Sequence, residues 1–218
     1  MKIGIFDSGI GGTTVMAAIK EVLPDEEYIY YADTKNCPYG GKDFDVLYDI
    51  VSTNVSNLAN QGAKIIIVAC NTATTQCIDY LRRDFPSLSF VGVEPAISLA
   101  THTDATRILV LATPGTIKSS RIKLLIQKNQ RSHQEIKLLA CPGLAETIEH
   151  NLNSHPNLIH DKLSELFKDL DFTPEVIVLG CTHYSLIKPA IQAFFPQAKL
   201  IDGNSGVAKR VKQIIERQ

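Results

Sequence analysis

Eight short apolar runs, largely β-branched, punctuate the chain at residues 3–6, 28–32, 65–69, 90–93, 108–112, 136–140, 176–179 and 199–201. Several are apolar at every position, the pattern of strands covered on both faces. Between them, helical spacing predicts helices over residues 13–23, 44–61, 74–84, 119–128, 143–151, 157–170, 186–195 and 207–217. Pro24 stops the first, and the third ends before Phe85-Pro86. Gly62 follows the second, where a left-handed C-terminal cap belongs. Strand and helix alternating along the whole chain predict an α/β fold with mostly parallel sheets.

Two of the apolar runs end alike. Ile65-Ile66-Ile67-Val68-Ala69 runs into Cys70-Asn71-Thr72, and Val176-Ile177-Val178-Leu179-Gly180 runs into Cys181-Thr182-His183, 111 residues later. This predicts two similar α/β domains with the active site in the cleft between them. The first domain spans residues 1–94 and carries Cys70. The final helix returns to it at about 206–218. The second domain spans 95–205 and carries Cys181. Coincidence between two ordinary strand-to-helix turns is the plainer alternative. Two thiols facing one small ligand from opposite sides suit moving a proton from one face of a carbon to the other.

Composition narrows the classes. A chain of 218 residues, 44% hydrophobic, can bury a full core and is not disordered. Net charge is −1 and the basic residues are scattered, which argues against a phosphate-tracking nucleic-acid surface. No apolar run approaches the length of a membrane span. Met1–Asp7 reads as a core strand rather than a signal peptide, so a cytoplasmic location is expected. There the five cysteines (37, 70, 77, 141 and 181) stay thiols. Cys181-Thr182-His183 is the one close Cys/His pair in sequence, too little for a zinc site, and no metal is expected.

Ligands of open α/β sheets sit beyond the carboxyl ends of the strands. Asp7-Ser8-Gly9-Ile10-Gly11-Gly12 follows the first strand and partly matches a dinucleotide loop, with Asp33 at the distance of a ribose contact. The third glycine position of that motif is Thr14, however, and Asp7 and Ser8 stand ahead of the glycines as working polar groups. Gly11-Gly12 either lets the backbone approach a small anion at a helix start or marks a turn with positive φ. Cys70 and Cys181 sit where helices begin, which is expected to lower a thiol pKa from about 8.5 toward neutrality. His183 is placed to tune Cys181 or shuttle its proton, and Asn71, Thr72 and Thr182 offer donors to an anionic group. Cys77 and Cys141 read as core thiols, and Cys37, beside Pro38, as an exposed thiol with no role. Pro38-Tyr39-Gly40-Gly41 is a turn that also walls the cleft, an ambiguity shared by Thr113-Pro114-Gly115-Thr116.

Six segments together carry a family resemblance: Phe6-Asp7-Ser8-Gly9-Ile10-Gly11-Gly12, Pro38-Tyr39-Gly40, Val68-Ala69-Cys70-Asn71-Thr72-Ala73, Gly92-Val93-Glu94-Pro95, Ala112-Thr113-Pro114-Gly115-Thr116 and Leu179-Gly180-Cys181-Thr182-His183-Tyr184. In this order they resemble the bacterial glutamate racemases, from residue 3 to about residue 210. The aspartate racemases share the two-cysteine plan but usually carry a different glycine-rich first loop. The resemblance implies a cofactor-independent isomerase that interconverts L- and D-glutamate and supplies D-glutamate for peptidoglycan. It implies Cys70 and Cys181 as the acid/base pair, assisted by Asp7 and His183. It implies Ser8, Tyr39, Gly40, Asn71, Thr72, Thr182 and His183 around the substrate. Glu149 falls where the family often has a further assisting glutamate, with Glu146 as its rival. A homodimer is the candidate assembly.

The chain also departs from the family pattern. Ser185 stands where proline commonly follows the tyrosine, and Ile201-Asp202-Gly203-Asn204 replaces the more usual Asp-Ser-Gly. Family members with a long N-terminal extension use it for activation by a cell-wall precursor, and such regulation is not expected here. The rival readings are an aspartate or broad-specificity racemase, a two-lobed small-ligand binding protein, and a nucleotide-dependent oxidoreductase using Gly9-x-Gly11. The binding protein would need no paired thiols and would normally be secreted. None of the strand-end motifs offers a lysine for a pyridoxal aldimine.

Overall fold

The computed structural model describes residues 1–217; Gln218, the last residue of the expected return to the first domain, lies outside them. The eight strands are β1 (Lys2–Asp7), β2 (Glu27–Ala32), β3 (Ile65–Val68), β4 (Ser89–Gly92), β5 (Arg107–Ala112), β6 (Glu135–Ala140), β7 (Val176–Gly180) and β8 (Lys199–Ile201). The helices of the first half are α1 (Gly12–Val22), α2 (Phe44–Asn60) and α3 (Asn71–Asp84). Next come α4 (Ile97–Thr101), α5 (Pro114–Lys118), α6 (Ser120–Asn129), α7 (Leu144–Asn151) and α8 (Pro156–Phe167). The chain closes with α9 (Thr182–Leu186), α10 (Lys188–Phe194) and α11 (Asn204–Ile215).

The strands form two four-stranded sheets with the same topology, β2-β1-β3-β4 and β6-β5-β7-β8. Every pairing is parallel. The fully apolar strands explain this, because each sheet has helices on both faces. Along β3, Ile65 and Ile67 join Val15 and Ile19 of α1 and Val207 and Val211 of α11. Ile66 and Val68 point the other way, into Leu47, Val51 and Val55 of α2 and Leu81 of α3. The period of two in the strand thus meets an i, i+4 stripe on each helix. The second sheet repeats the plan. Val110 and Val178 face Ile97 and Ile122, while Leu111 and Leu179 face Leu144, Ile148, Ile159 and Leu163.

Both halves place the same topological position at the cleft. In the first sheet the order turns at β1 and β3, which pair from Ile3↔Ile65 to Phe6↔Val68. Asp7 and Cys70 therefore leave neighbouring strand ends. In the second sheet β5 and β7 pair up to Ala112↔Gly180, so Thr113 and Cys181 leave neighbouring ends there. Two segments cross between the sheets side by side, since a Cβ on Gly203 would meet the Glu94 carbonyl oxygen at 2.9 Å. Arg121 of α6 reaches back across the crossing, to Glu94 and to Asp79 of α3 at 2.9 Å.

The differences from the sequence-based expectation have local causes. Helices α4, α5 and α9 have five residues each, barely more than one turn, and leave no periodicity to detect. The expected helix over 186–195 starts at Lys188, because Pro189 is tolerated only in a helix's first turn. The expected 157–170 helix ends at Phe167. Gly62 takes the left-handed conformation expected of a cap, with φ +91°.

Ile19 lies wholly buried where α1 meets β3 and α11. Ile19→Ala is expected to cost about 2–5 kcal/mol, read as a lower urea midpoint at unchanged slope. A loss below about 1 kcal/mol would mean that this face is not a close-packed core.

Candidate active site

The site is built around Asp7, the last residue of β1, which is wholly buried. Its carboxylate accepts from the Gly12 N–H at 2.9 Å and the Gly9 N–H at 3.3 Å. From the other half, the Thr182 hydroxyl donates to it at 3.2 Å. Burial pushes the Asp7 carboxyl up, opposed by His183, the two N–H groups and Thr182.

The glycines of the first loop are explained by what packs on them. A Cβ on Gly9 would sit 2.2 Å from a Glu149 carboxylate oxygen, and one on Gly11 would sit 2.6 Å from the His183 backbone nitrogen. Neither glycine has positive φ, which corrects the turn explanation. The anion at this loop is the protein's own, since the Ile10 N–H donates to Glu149 at 2.9 Å. The dinucleotide alternative fails on the same ground, and Asp33 is already engaged. Asp33 accepts from the Tyr39 hydroxyl at 2.6 Å, from Asn36 at 2.9 Å and from Asn54 at 3.2 Å.

Cys70 caps α3 and Cys181 caps α9, with exposures of 5% and 7%. The expectation that helix starts lower these thiols is corrected. Burial pushes Cys70 up to about 12, and the Asp7 carboxylate adds to the rise. The Ala73 and Thr72 N–H groups and the Ser8 hydroxyl favour the thiolate without overcoming that cost. Burial also raises Cys181, against the hydrogen bond and charge of His183. Charge on Cys70 raises Cys181 further.

His183 links Cys181 to a carboxylate. One ring nitrogen lies 3.9 Å from the Cys181 sulfur and the other 2.7 Å from Glu149. Burial opposes a charge on His183, but Cys181, Glu149 and Asp7 push its pKa up to about 10. Burial likewise opposes charge on Glu149, yet the hydrogen bonds from His183 and Ile10 hold its carboxyl below the ordinary value. Glu146, one turn earlier on α7, is exposed.

Several expected ligand side chains are committed elsewhere. Asn71 donates its amide to the Val93 carbonyl at 3.0 Å. Thr182 is held by Asp7, and the Tyr39 hydroxyl by Asp33. These residues keep their backbone N–H groups; those of Asn71 and Thr72, in the first turn of α3, have no acceptor within the helix. Gly40 is pressed onto the second half, its carbonyl accepting from the Gly115 N–H at 2.8 Å. The sequence left Thr113 and Thr116 ambiguous and assigned them no role. Their hydroxyls lie 2.9 Å and 3.4 Å from that of Thr72, a polar cluster shared by both halves. Cys37 is corrected from a bystander to a partly buried neighbour of Glu149 and His183. Cys77 and Cys141 are buried in the two cores. The two places expected to depart from the family pattern meet, since the Ser185 hydroxyl donates to Asp202 at 3.0 Å.

The geometry agrees with what comparison with known proteins finds. Residues 10–211 match the Asp/Glu/Hydantoin racemase family. The chain is 37% identical to the glutamate racemase of Clostridium botulinum over 98% of its own length and 83% of that protein. It is 39% identical to the glutamate racemase of Roseiflexus sp., over 98% of its own length and 79% of that protein. The crystal structure of Escherichia coli glutamate racemase, in complex with L-glutamate and the activator UDP-MurNAc-Ala, superposes with a TM-score of 0.90 at 31% identity. It covers all of this chain and 83% of that one. Picrophilus torridus aspartate racemase, at 14% identity and a TM-score of 0.62, shares the fold. No helix among the described residues is long and apolar enough to cross a membrane. The chain belongs to the Asp/Glu/hydantoin racemase family, and within it to the glutamate racemases.

Proposed function

We propose that this protein interconverts L- and D-glutamate without a cofactor, using Cys70 and Cys181 as opposed acid and base, and so supplies D-glutamate for peptidoglycan. The observation that carries this is the pair of buried thiols at equivalent strand ends of two like-wound sheets, with Thr182 beside one bonded to Asp7 beside the other. One thiolate takes the Cα proton from one face while the opposite thiol donates to the other, and the reverse direction exchanges the roles. Because burial raises both thiols, the cleft at rest favours the protonated forms, and one must lose its proton before it can act as base. Ser8 and the first turn of α3 stabilise the thiolate at Cys70, and His183 with Glu149 does so at Cys181. Glu149 rather than Glu146 is the assisting glutamate, supported by its 2.7 Å contact with His183. Substrate is held by Ser8, Tyr39, Gly40, Asn71, Thr72, Thr182 and His183, largely through backbone N–H groups, with Thr113 and Thr116 added.

The domain division follows the same logic: residues 1–94 with the return from about 206 form one unit, and 95–205 the other. The packing of Val207 and Val211 on the first sheet supports it. A cytoplasmic location is supported by five free cysteines. A homodimer is the assembly proposed, supported by the exposed aromatic pair Phe44 and Tyr80, with ring centroids 4.9 Å apart. Sedimentation equilibrium measures it, and a monomer at all concentrations refutes it.

Cys70→Ala and Cys181→Ala are each expected to lower racemisation by roughly a thousandfold or more with the fold intact. Each should still eliminate HCl from one enantiomer of 3-chloroglutamate, since elimination needs a single base. Wild-type kcat/KM should climb with pH from neutrality, because the base begins as a thiol. Full racemisation by either mutant refutes the two-base assignment.

Asp7 touches both halves, whereas His183 is tied to Cys181. His183→Asn should therefore change the primary deuterium isotope effects of the L→D and D→L reactions unequally, and Asp7→Asn should change them alike. Equal changes in the His183 variant would reassign that residue to substrate binding.

A further inference from the structure

Cys37, Glu149 and His183 place three different ligand types together. A sulfur, a carboxylate oxygen and a ring nitrogen lie within 4.8 Å of one another. They come from distant parts of the chain: the turn after β2 in the first half, and α7 and α9 in the second. Thiolate and imidazole are preferred zinc ligands, and a carboxylate completes a common donor set. Zinc–ligand bonds of about 2.0–2.3 Å would hold such atoms roughly 3.5 Å apart in a tetrahedral site. The longest separation therefore contracts by up to about 1.3 Å, from 4.8 Å to roughly 3.5 Å, while the 2.7 Å His183–Glu149 contact widens to admit the ion.

The supporting shell is already built. Glu149 accepts from the Ile10 N–H at 2.9 Å, and the other ring nitrogen of His183 faces Cys181 at 3.9 Å. Such contacts orient metal ligands. The side chains of His183 and Glu149 are 1% and 5% exposed, while Cys37 is only partly buried and opens the way in.

We propose that Cys37, Glu149 and His183 form an inhibitory site for a thiophilic divalent cation, with Zn²⁺ as the type, which pins the two halves together and takes His183 and Glu149 away from Cys181. Binding forms metal bonds to sulfur, nitrogen and oxygen. The Cys37 thiol and the protonated His183 ring each release a proton to solvent, so that thiolate and neutral imidazole bind, and nothing is oxidised or reduced. A fourth position stays open to water or a substrate carboxylate. The inhibition rests on the assisting role proposed for His183 and Glu149; the binding itself does not.

Two measurements separate the parts. Cobalt(II), used as a spectroscopic stand-in, should give a thiolate-to-metal charge-transfer band in the wild type and in Cys181→Ala, and none in Cys37→Ser. Zinc buffered in the micromolar range should inhibit glutamate racemisation by the wild type, and a chelator should reverse it. Cys37→Ser should keep the basal kcat/KM yet need roughly tenfold or more free zinc for the same inhibition. Equal zinc sensitivity in wild type and Cys37→Ser overturns the proposal and assigns the inhibition to the catalytic thiols. So does a cobalt band that survives in Cys37→Ser and vanishes in Cys181→Ala. Cobalt bound through Cys37 with turnover unaffected overturns the inhibition, and with it the assisting role of His183.

Discussion

A carboxylate that sees no water must be held by donors, and Asp7 draws its donors from both halves of the chain. Gly12 and Gly9 supply N–H groups from its own side, and Thr182 supplies a hydroxyl from the other. Burying such a group unpaired would cost several kcal/mol. The first loop must therefore lie hard against the Cys181-Thr182-His183 turn. That contact is possible because Gly11 leaves room for the His183 backbone and Gly9 for the Glu149 carboxylate. The cleft follows from this requirement, and with it the approach of the two thiols.

The same dryness sets the electrostatics. Desolvation raises Asp7, Cys70 and Cys181 together, while contacts with Cys181, Glu149 and Asp7 push His183 up against its own burial. These groups form one coupled set, so a proton gained at one member alters the others. Water exclusion suits the chemistry proposed here, because a weakly acidic carbon is best deprotonated where a developing negative charge meets fixed donors. It also explains why the start of α3 is polar yet buried. Asn71, Thr72, Thr74 and Thr75 are all shielded from solvent, and Asn71, Thr72 and Thr74 bond to Val93, Thr113 and Val68. No core-packing pattern would choose that run.

The two places read from the sequence as departures from the family pattern are joined in the structure. Ser185 and Asp202 bond to each other, and Lys188 pairs with Asp202 at 2.7 Å. Asp202 also accepts from the Asn204 N–H at 3.1 Å, fixing the entry into α11 beside the Glu94 crossing. Ser185, Lys188, Asp202 and Asn204 thus act as one unit, at the second passage of the chain between its halves.

The sequence by itself determined the strands, the parallel winding and the residues at the strand ends, because an apolar run covered on both faces and a strand-to-helix turn are local patterns. Cys70 and Cys181 were legible for that reason, as were Asp7 and His183. Tertiary structure decided the rest. Cys37 and Glu149 meet His183 only because α7 swings its carboxylate onto the first loop, and their spacing along the chain carries no sign of it. The protonation of the thiols was likewise out of reach. A helix start argues for a lowered pKa, while burial argues against it, and burial is known only once both halves close over the site. The glycines of the first loop show the same division. Their identity was plain, but their reason is the atom that packs on each, and for Gly9 and Gly11 that atom belongs to the other half of the chain.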